Sequence, residues 1–304
     1  MYSEKNTLII GWNCITEKFI LNRLNSSNKY SIIDLESKYR KNEHLKYFSE
    51  KEINKKLNKD IKHIFYFFED FNQQKTIEIS EICIKNNLNL FIGSNFDGVK
   101  DKHFVDLRNI SRIFLNESKY RLIFLRIFDI VFSLFAIILL LPVFAITSLL
   151  ILIDDGFPIL FSQKRVGLNN KIFLIYKFRS MYKDAKKYGI SPSKINDNRI
   201  TKIGKFLRKT SIDEIPQFLN VFKGDMSIVG PRPEMPFLVK NYNNFENLRL
   251  KIKPGITGAW QVSPTRNAPI HYNVDYDLYQ IINNSLMYNI KQILKTLIWS
   301  TKGF

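Results

Sequence analysis

The chain is poor in cysteine, histidine, glycine and proline, with 2 Cys, 4 His, 12 Gly and 10 Pro in 304 residues. Cys14 and Cys83 cannot build a disulfide scaffold and have no metal-ligand spacing with the scattered histidines. A disulfide-rich secreted domain and a cysteine–histidine zinc module are therefore excluded, and a reducing compartment fits. So little glycine and proline also excludes a collagen-like or low-complexity chain. The opening MYSEKNTLII carries an acidic residue and no small-residue cleavage site, so it does not read as a signal peptide. Acidic residues are scarce too, 28 against 46 basic ones, for a net charge of +18.

What is present is a globular composition. Hydrophobic residues make up 45% of the chain, with 25 Phe and 14 Tyr, which excludes intrinsic disorder. At roughly 150 residues per domain the length suggests two. The positive excess is uneven: residues 1–120 carry +4 and residues 121–304 carry +14, of which 161–210 alone hold +12. Such a block needs an acidic partner: nucleic acid, anionic lipid or a phosphorylated substrate. Composition does not choose among them.

Residues 1–115 alternate between strand-like and helix-like patterns. TLIIGW (7–12), YSIIDLE (30–36), HIFYFFE (63–69) and LNLFIGS (88–94) read as strands, with helices at 15–24 and 76–87. The alternation predicts a parallel, Rossmann-like α/β domain. A dinucleotide fingerprint needs three glycines in the first turn, and only Gly11 is there, followed by Trp12, Asn13 and Cys14. Asp34 or Glu36 could hold a ribose, but the turn reads as degenerate, which favours a structural or regulatory domain.

Between Asp129 and Asp154 lie 24 residues without a charge. As one helix they would extend about 36 Å, enough for a bilayer core of about 30 Å. Pro142 sits mid-run, where it bends or breaks a helix. Basic residues flank both ends: Arg121 and Arg126 before, Lys164, Arg165, Lys171, Lys177 and Arg179 after. The positive-inside rule places both flanks on the cytoplasmic face, which favours a re-entrant hairpin bent at Pro142 over the alternative of a true span.

Three motifs follow. FSQKRVGLNNKIFLIYKFRSM (161–181) reads as a hairpin turning at Gly167–Asn170, with Lys177 and Arg179 alternating onto one strand face as a candidate phosphate clamp. RITKIGKFLRKTSIDEIPQFLNVFKGDMSIVGPRPE (199–234) leads a basic stretch into Asp213 and Glu214, then into a helix closed by Gly224. Ile215, Phe218, Leu219 and Phe222 form its apolar stripe. Ser211 and Glu214 fit a capping box; alternatively the helix starts at Asp213. Both readings put Asp213 at a helix N-terminus, near Arg208 and Lys209, where an ionised carboxylate could attack phosphorus. Pro231 and Pro233 bracket Arg232 and limit its freedom. KPGITGAWQV (253–262) is a Pro-Gly turn in which Gly255 and Gly258 permit close backbone approach, and Arg266 follows.

These motifs in this order, with RIFDIVFSLFAIILLLPVF (126–144) before them and VDYDLYQIINNSLMYNIKQILKTL (274–297) after, resemble the bacterial sugar transferase family, the monotopic phosphoglycosyl transferases. The resemblance implies transfer of a sugar 1-phosphate from a UDP-sugar to a polyprenyl phosphate with release of UMP. It further implies Mg²⁺, a re-entrant membrane helix and a covalent phosphosugar on Asp213, with Glu214 as its partner acid and metal co-ligand. It matches Arg208 and Arg232 to the family's arginines, with Arg208 at a substrate phosphate; Lys177, Arg179 and Arg266 are further candidates for phosphate contacts. The fold class read is α/β: the Rossmann-like domain (1–115), which lies outside the resemblance, then a membrane hairpin (121–154) and a helix-rich catalytic region (155–304). The implied partners are inner-membrane lipid and these two substrates rather than nucleic acid, with both soluble parts on the cytoplasmic face; a homodimer is compatible. Two departures stand out: Leu141 precedes Pro142 where the family has Ser, and Ser263-Pro264-Thr265-Arg266 replaces a Ser/Asn-Gly-Arg pattern. The competing readings are a metal-dependent glycosyltransferase using Asp275-Tyr276-Asp277 as a D-x-D motif, and a non-enzymatic basic membrane-surface module.

Overall fold

The computed structural model describes residues 7–11, 31–33, 46–48, 61–68, 71–93, 105–114, 119–185, 197–264, 266 and 273–300. The helix read at 15–24, and Asp34 and Glu36, lie outside the described residues. The chain forms two compact units, one of residues 1–116, 242–249 and 263–283, the other of 117–241, 250–262 and 284–304. The division read from sequence is thus crossed by two later stretches that belong with the first unit. Packing explains it: Phe245 meets Phe68 edge-on at 5.2 Å, and helix Val274–Asn283 lies on the turn Ile110–Ile113.

In the first unit, β1 (Thr7–Ile10), β2 (Ser31–Ile33), β3 (Lys46–Phe48), β4 (His63–Phe67) and β5 (Asn89–Gly93) form one sheet in the order β3-β2-β1-β4-β5. Every pairing is parallel. Leu8, Ile9, Ile10, Ile64, Phe65, Tyr66 and Phe67 are all buried, the continuous apolar run expected of strands covered on both faces. Helix α1 (Gln73–Lys85) crosses from β4 to β5 and starts under the Asn72 side chain, which accepts from the Lys75 N–H. Gly11 takes φ +86°, and a Cβ there would collide with the Phe67 carbonyl. Close passage of β1 past β4 therefore accounts for this glycine without a ligand.

The second unit starts with α2 (Lys119–Leu139) and α3 (Leu141–Asp155), interrupted at Leu140. Pro142 falls in the first turn of α3, where its missing N–H has no intrahelical partner to lose. Among the described residues one helix, Tyr120–Leu139, is long and apolar enough to cross a membrane. Val131, Phe135, Ile138, Leu139, Leu141, Ile146 and Leu149 all stay exposed along the pair, a contiguous apolar surface.

β6 (Leu160–Val166) and β7 (Ile172–Phe178) form the antiparallel hairpin, with Asn169 and Asn170 in the left-handed conformation at its turn. Next come α4 (Lys202–Thr210), a 3-10 turn (Ile212–Glu214), α5 (Gln217–Lys223), β8 (Ser227–Val229), α6 (Pro236–Val239) and β9 (Gly255–Thr257). The described chain ends with α7 (Val274–Asn283) in the first unit and α8 (Leu286–Ser300) in the second. Phe173 and Ile175 of β7 share a core with Val221, Met226, Ile228 and Val229, and Phe132 of α2 packs against it.

The helix after the acids differs from its sequence reading. Its buried residues are Gln217, Asn220 and Val221, whereas Phe222 is 45% exposed. A 3.6-residue period marks an apolar stripe but does not say whether protein covers it. Pro216 precedes the helix, and the capping box does not form. Ser211 instead ends α4 in the left-handed conformation, at φ 56°. Asp213 consequently lies on the 3-10 turn between two helices, not in the first turn of one.

Candidate active site

Four elements of the second unit converge on the two acids. β7 supplies Lys177, α4 supplies Arg208, the 3-10 turn carries Asp213 and Glu214, and the turn after β8 supplies Arg232. Lys177 Nζ lies 2.6 Å from Glu214 Oε1, and Arg232 Nη1 lies 3.6 Å from the same oxygen. Arg208 donates from Nε to Ser180 Oγ at 2.9 Å. Burial draws the Arg208 guanidinium below its ordinary value, and the charge of Asp213 works against that.

The adjacent acids are pushed in opposite directions. Burial raises Asp213 to about 6, only partly offset by Lys177, and the charge of Glu214 beside it adds to the rise. Burial also acts to raise Glu214, but the Lys177 and Arg232 charges and hydrogen bonds from Lys177 and Gln217 outweigh it. Glu214 is held well below the usual carboxylate range. The first proton the pair takes up therefore sits on Asp213. A desolvated carboxylate of raised basicity beside a fixed anion and three cations is suited to attack on phosphorus.

Arg179 does not join Lys177. The strand ends at Phe178, so alternation no longer dictates where residue 179 points. Its guanidinium, buried, pairs with Asp155 at 3.2 Å and reaches the carbonyls of Asp155 and Gly156 at 3.1 and 2.5 Å. It caps the end of α3 instead of lining a phosphate clamp. Arg266 belongs to the first unit, whereas the cluster lies wholly in the second. Among the described residues no three His, Cys, Asp or Glu converge on a metal position.

The D-x-D reading meets a direct obstacle. Asp275 and Asp277 are buried on α7, and Asp277 pairs with the equally buried Arg249 at 2.7 Å. A carboxylate so paired is not available to a nucleotide-bound metal.

Sequence reasoning missed Ser180, Gln217 and Asn220. Asn220 is fully buried; its Oδ1 accepts the Tyr176 N–H at 3.0 Å and its Nδ2 donates to the Leu174 carbonyl at 2.6 Å. Its amide thus acts as a neighbouring strand for β7 and ties the strand bearing Lys177 to the helix behind Glu214. The signal was a lone amide inside the apolar run FLNVF. Gly255 and Gly230 also find their reason: each backbone fills the space where the other would place a Cβ, while Pro231 accepts from the Gly255 N–H at 3.0 Å. That contact fixes the turn bearing Arg232.

Comparison with known proteins identifies the family. Residues 120–303 match the bacterial sugar transferase family. The galactosyl transferase CpsE of Streptococcus agalactiae is 40% identical over 220 residues, 67% of this chain and 48% of that protein. The UDP-N-acetylgalactosamine-undecaprenyl-phosphate N-acetylgalactosaminephosphotransferase of Aeromonas hydrophila is 38% identical over 182 residues, 58% and 43% of the two chains. The UDP-glucose:undecaprenyl-phosphate glucose-1-phosphate transferase of Escherichia coli is 37% identical over 184 residues, 58% and 39%. The chain thus spans about half the length or less of these relatives, and their names carry three different sugars. The family match covers every residue of the carboxylate–cation cluster, and the chain belongs to the bacterial sugar transferase family.

Proposed function

We propose that the protein transfers a sugar 1-phosphate from a UDP-sugar to a polyprenyl phosphate, as a membrane-bound enzyme that starts assembly of a surface glycan. The observation that carries this is the acid pair, with Asp213 buried and raised while Lys177 and Arg232 keep Glu214 ionised. Asp213 attacks the sugar-bearing phosphorus; the bond from that phosphorus to the bridging oxygen breaks and UMP leaves. An oxygen of the polyprenyl phosphate then attacks the same phosphorus, the acyl-phosphate bond breaks, and Asp213 returns as carboxylate. Lys177, Arg208 and Arg232 offset charge on the phosphoryl oxygens during both steps.

The donor set suits Mg²⁺ shared with a diphosphate, which needs only one or two protein carboxylates. Asp213 and the less engaged oxygen of Glu214 would hold it, and the ion would add positive charge at the diphosphate.

The helix pair is read as a re-entrant hairpin. The residues on either side of its uncharged stretch bond to the same folded unit, Asp129 to Ile228 and Asp154 to Ile203, which supports both flanks facing the cytoplasm. Modification of single cysteines placed at Ser118 and Ser162, with Cys14 and Cys83 replaced by serine, is expected from the cytoplasmic side at both positions. Labelling from opposite sides would eliminate the hairpin. The parallel β3-β2-β1-β4-β5 order supports a Rossmann-like first unit, read as structural or regulatory because Gly11 is accounted for by Phe67.

Incubation of detergent-solubilised protein with polyprenyl phosphate and, in turn, UDP-glucose, UDP-galactose and UDP-N-acetylgalactosamine is expected to release UMP with at least one sugar. Release of UDP would point to conventional glycosyl transfer. No nucleotide release with any UDP-sugar would favour a binding module.

A further inference from the structure

We infer that the charged residues bounding the uncharged stretch of the helix pair are positioning devices for the site: Arg126 and Asp129 before it, Asp154 and Asp155 after it, hold the elements that carry Lys177, Arg208, Glu214 and Arg232. The inference rests on the transferase reading above and adds a role for residues outside the acid–cation cluster.

Each end is bonded to two different elements. Arg126 donates to the carbonyls of Val221 and Phe222 at 2.6 and 2.8 Å. The Val221 carbonyl also accepts the Gly224 N–H at 3.0 Å, and a cation at the last turn of α5 is favoured by the helix dipole. The other end of α5 starts three residues after Glu214 and carries Gln217, its hydrogen-bond partner. Asp129, buried, accepts from Ser227 Oγ and the Ile228 N–H, both at 3.0 Å. From Ile228 the chain reaches Arg232 in four residues.

At the far end, Asp154 accepts the Ile203 N–H at 3.1 Å. That amide is one of the unpaired donors in the first turn of α4, the helix that carries Arg208 five residues on. Asp155 accepts the Lys183 N–H at 3.1 Å and pairs with Arg179, two residues beyond Lys177. An anchor needs only apolar packing to the domain. Directional bonds from charged side chains instead fix the depth and rotation of both helices, because sliding would leave buried charges unpaired. Displacing either end moves cations relative to the carboxylates, and a misplacement near 1 Å is enough to slow chemistry strongly.

The test uses the full-length protein in bilayer nanodiscs with polyprenyl phosphate and the UDP-sugar that it accepts. Asp129→Ala and Asp154→Ala are expected to lower kcat at least about tenfold, with both KM values within about threefold of wild type. Asp129→Asn and Asp154→Asn keep an accepting oxygen and are expected to restore at least half of the lost rate. A wild-type kcat, a rise in KM in place of the kcat loss, or equal losses in the alanine and asparagine variants would overturn the assignment. Hydrogen exchange supplies a readout that needs no turnover: the Ile228 amide should exchange faster in Asp129→Ala and the Ile203 amide in Asp154→Ala, but neither in its asparagine counterpart. Unchanged exchange in the alanine variants would also overturn it. Should wild type release no nucleotide, the transferase reading fails while exchange still decides the clamps. If one alanine variant does not fold, the other end carries the same test.

Discussion

Asp213→Asn is expected to stop nucleotide release and, at neutral pH, to make the second unit harder to unfold. The rate loss should be at least roughly 10³-fold, because an amide cannot form the acyl phosphate on which both half-reactions depend. The stability gain follows from the raised carboxyl. Folding lifts Asp213 from an ordinary value of 3.8 to about 6, so between those values the folded state holds a proton that the unfolded chain has lost. Stability from this group is full below pH 4 and is lost as pH rises through 6. At pH 7.5 the ionised, buried carboxylate costs on the order of 1–3 kcal/mol, and asparagine removes that cost. Thermal unfolding at pH 7.5 and pH 5 checks the sign, since the advantage of the variant should shrink at the lower pH. Wild-type turnover should likewise fall as pH drops through about 6, as the nucleophile takes up its proton. Turnover surviving in Asp213→Asn would require another nucleophile, and a lower melting temperature at pH 7.5 would show that burial does not strain this carboxylate.

Gly255→Ala is expected to damage the fold severely although it touches neither an acid nor a cation. A Cβ at Gly255 would overlap the Gly230 backbone and lie 2.6 Å from the Thr257 carbonyl oxygen, and backbone cannot rotate aside as a side chain can. β8 and β9 pair in parallel through Ser227 with Gly255 and Val229 with Thr257. Gly230 donates to the Thr257 carbonyl at 2.9 Å. Parting the strands breaks these bonds and frees the Arg232 turn, for a loss of about 4 kcal/mol or more. Gly156→Ala is the control: nothing lies within 4 Å of its Cβ, and the backbone strain at φ 69°, ψ −160° alone is expected to cost about 1–3 kcal/mol. Urea unfolding of the two variants compares them directly. Equal losses would mean that the two glycine backbones do not touch.

Much of the site was readable because its signals are local. An uncharged 24-residue run names an apolar helical segment whatever surrounds it. Alternation in IFLIYKF marks β7, since a pleated strand sends successive side chains to opposite faces. Asp213 and Glu214 stand out as an acid pair at the end of a basic stretch, and Pro142 marks where the apolar run must break. Where reasoning stopped at nearest neighbours it failed. Lys177 and Arg179 were assigned one face, yet the strand ends between them and Arg179 turns to Asp155. The capping-box reading, one of two, puts Ser211 at a helix start; it instead ends the helix before it.

By itself the sequence determined the residue types of the candidate site, the elements that carry most of them, and an apolar segment ahead of them. Only the tertiary structure decided which cation meets which acid, and therefore which of two adjacent carboxylates keeps its proton longer. Lys177 and Glu214 are 37 positions apart in the chain but 2.6 Å apart in space. Charge–charge energy and desolvation depend on distance and burial, not on sequence separation. Those quantities exist only once β7, α4, the 3-10 turn and the Arg232 turn have packed against the base of the apolar helices.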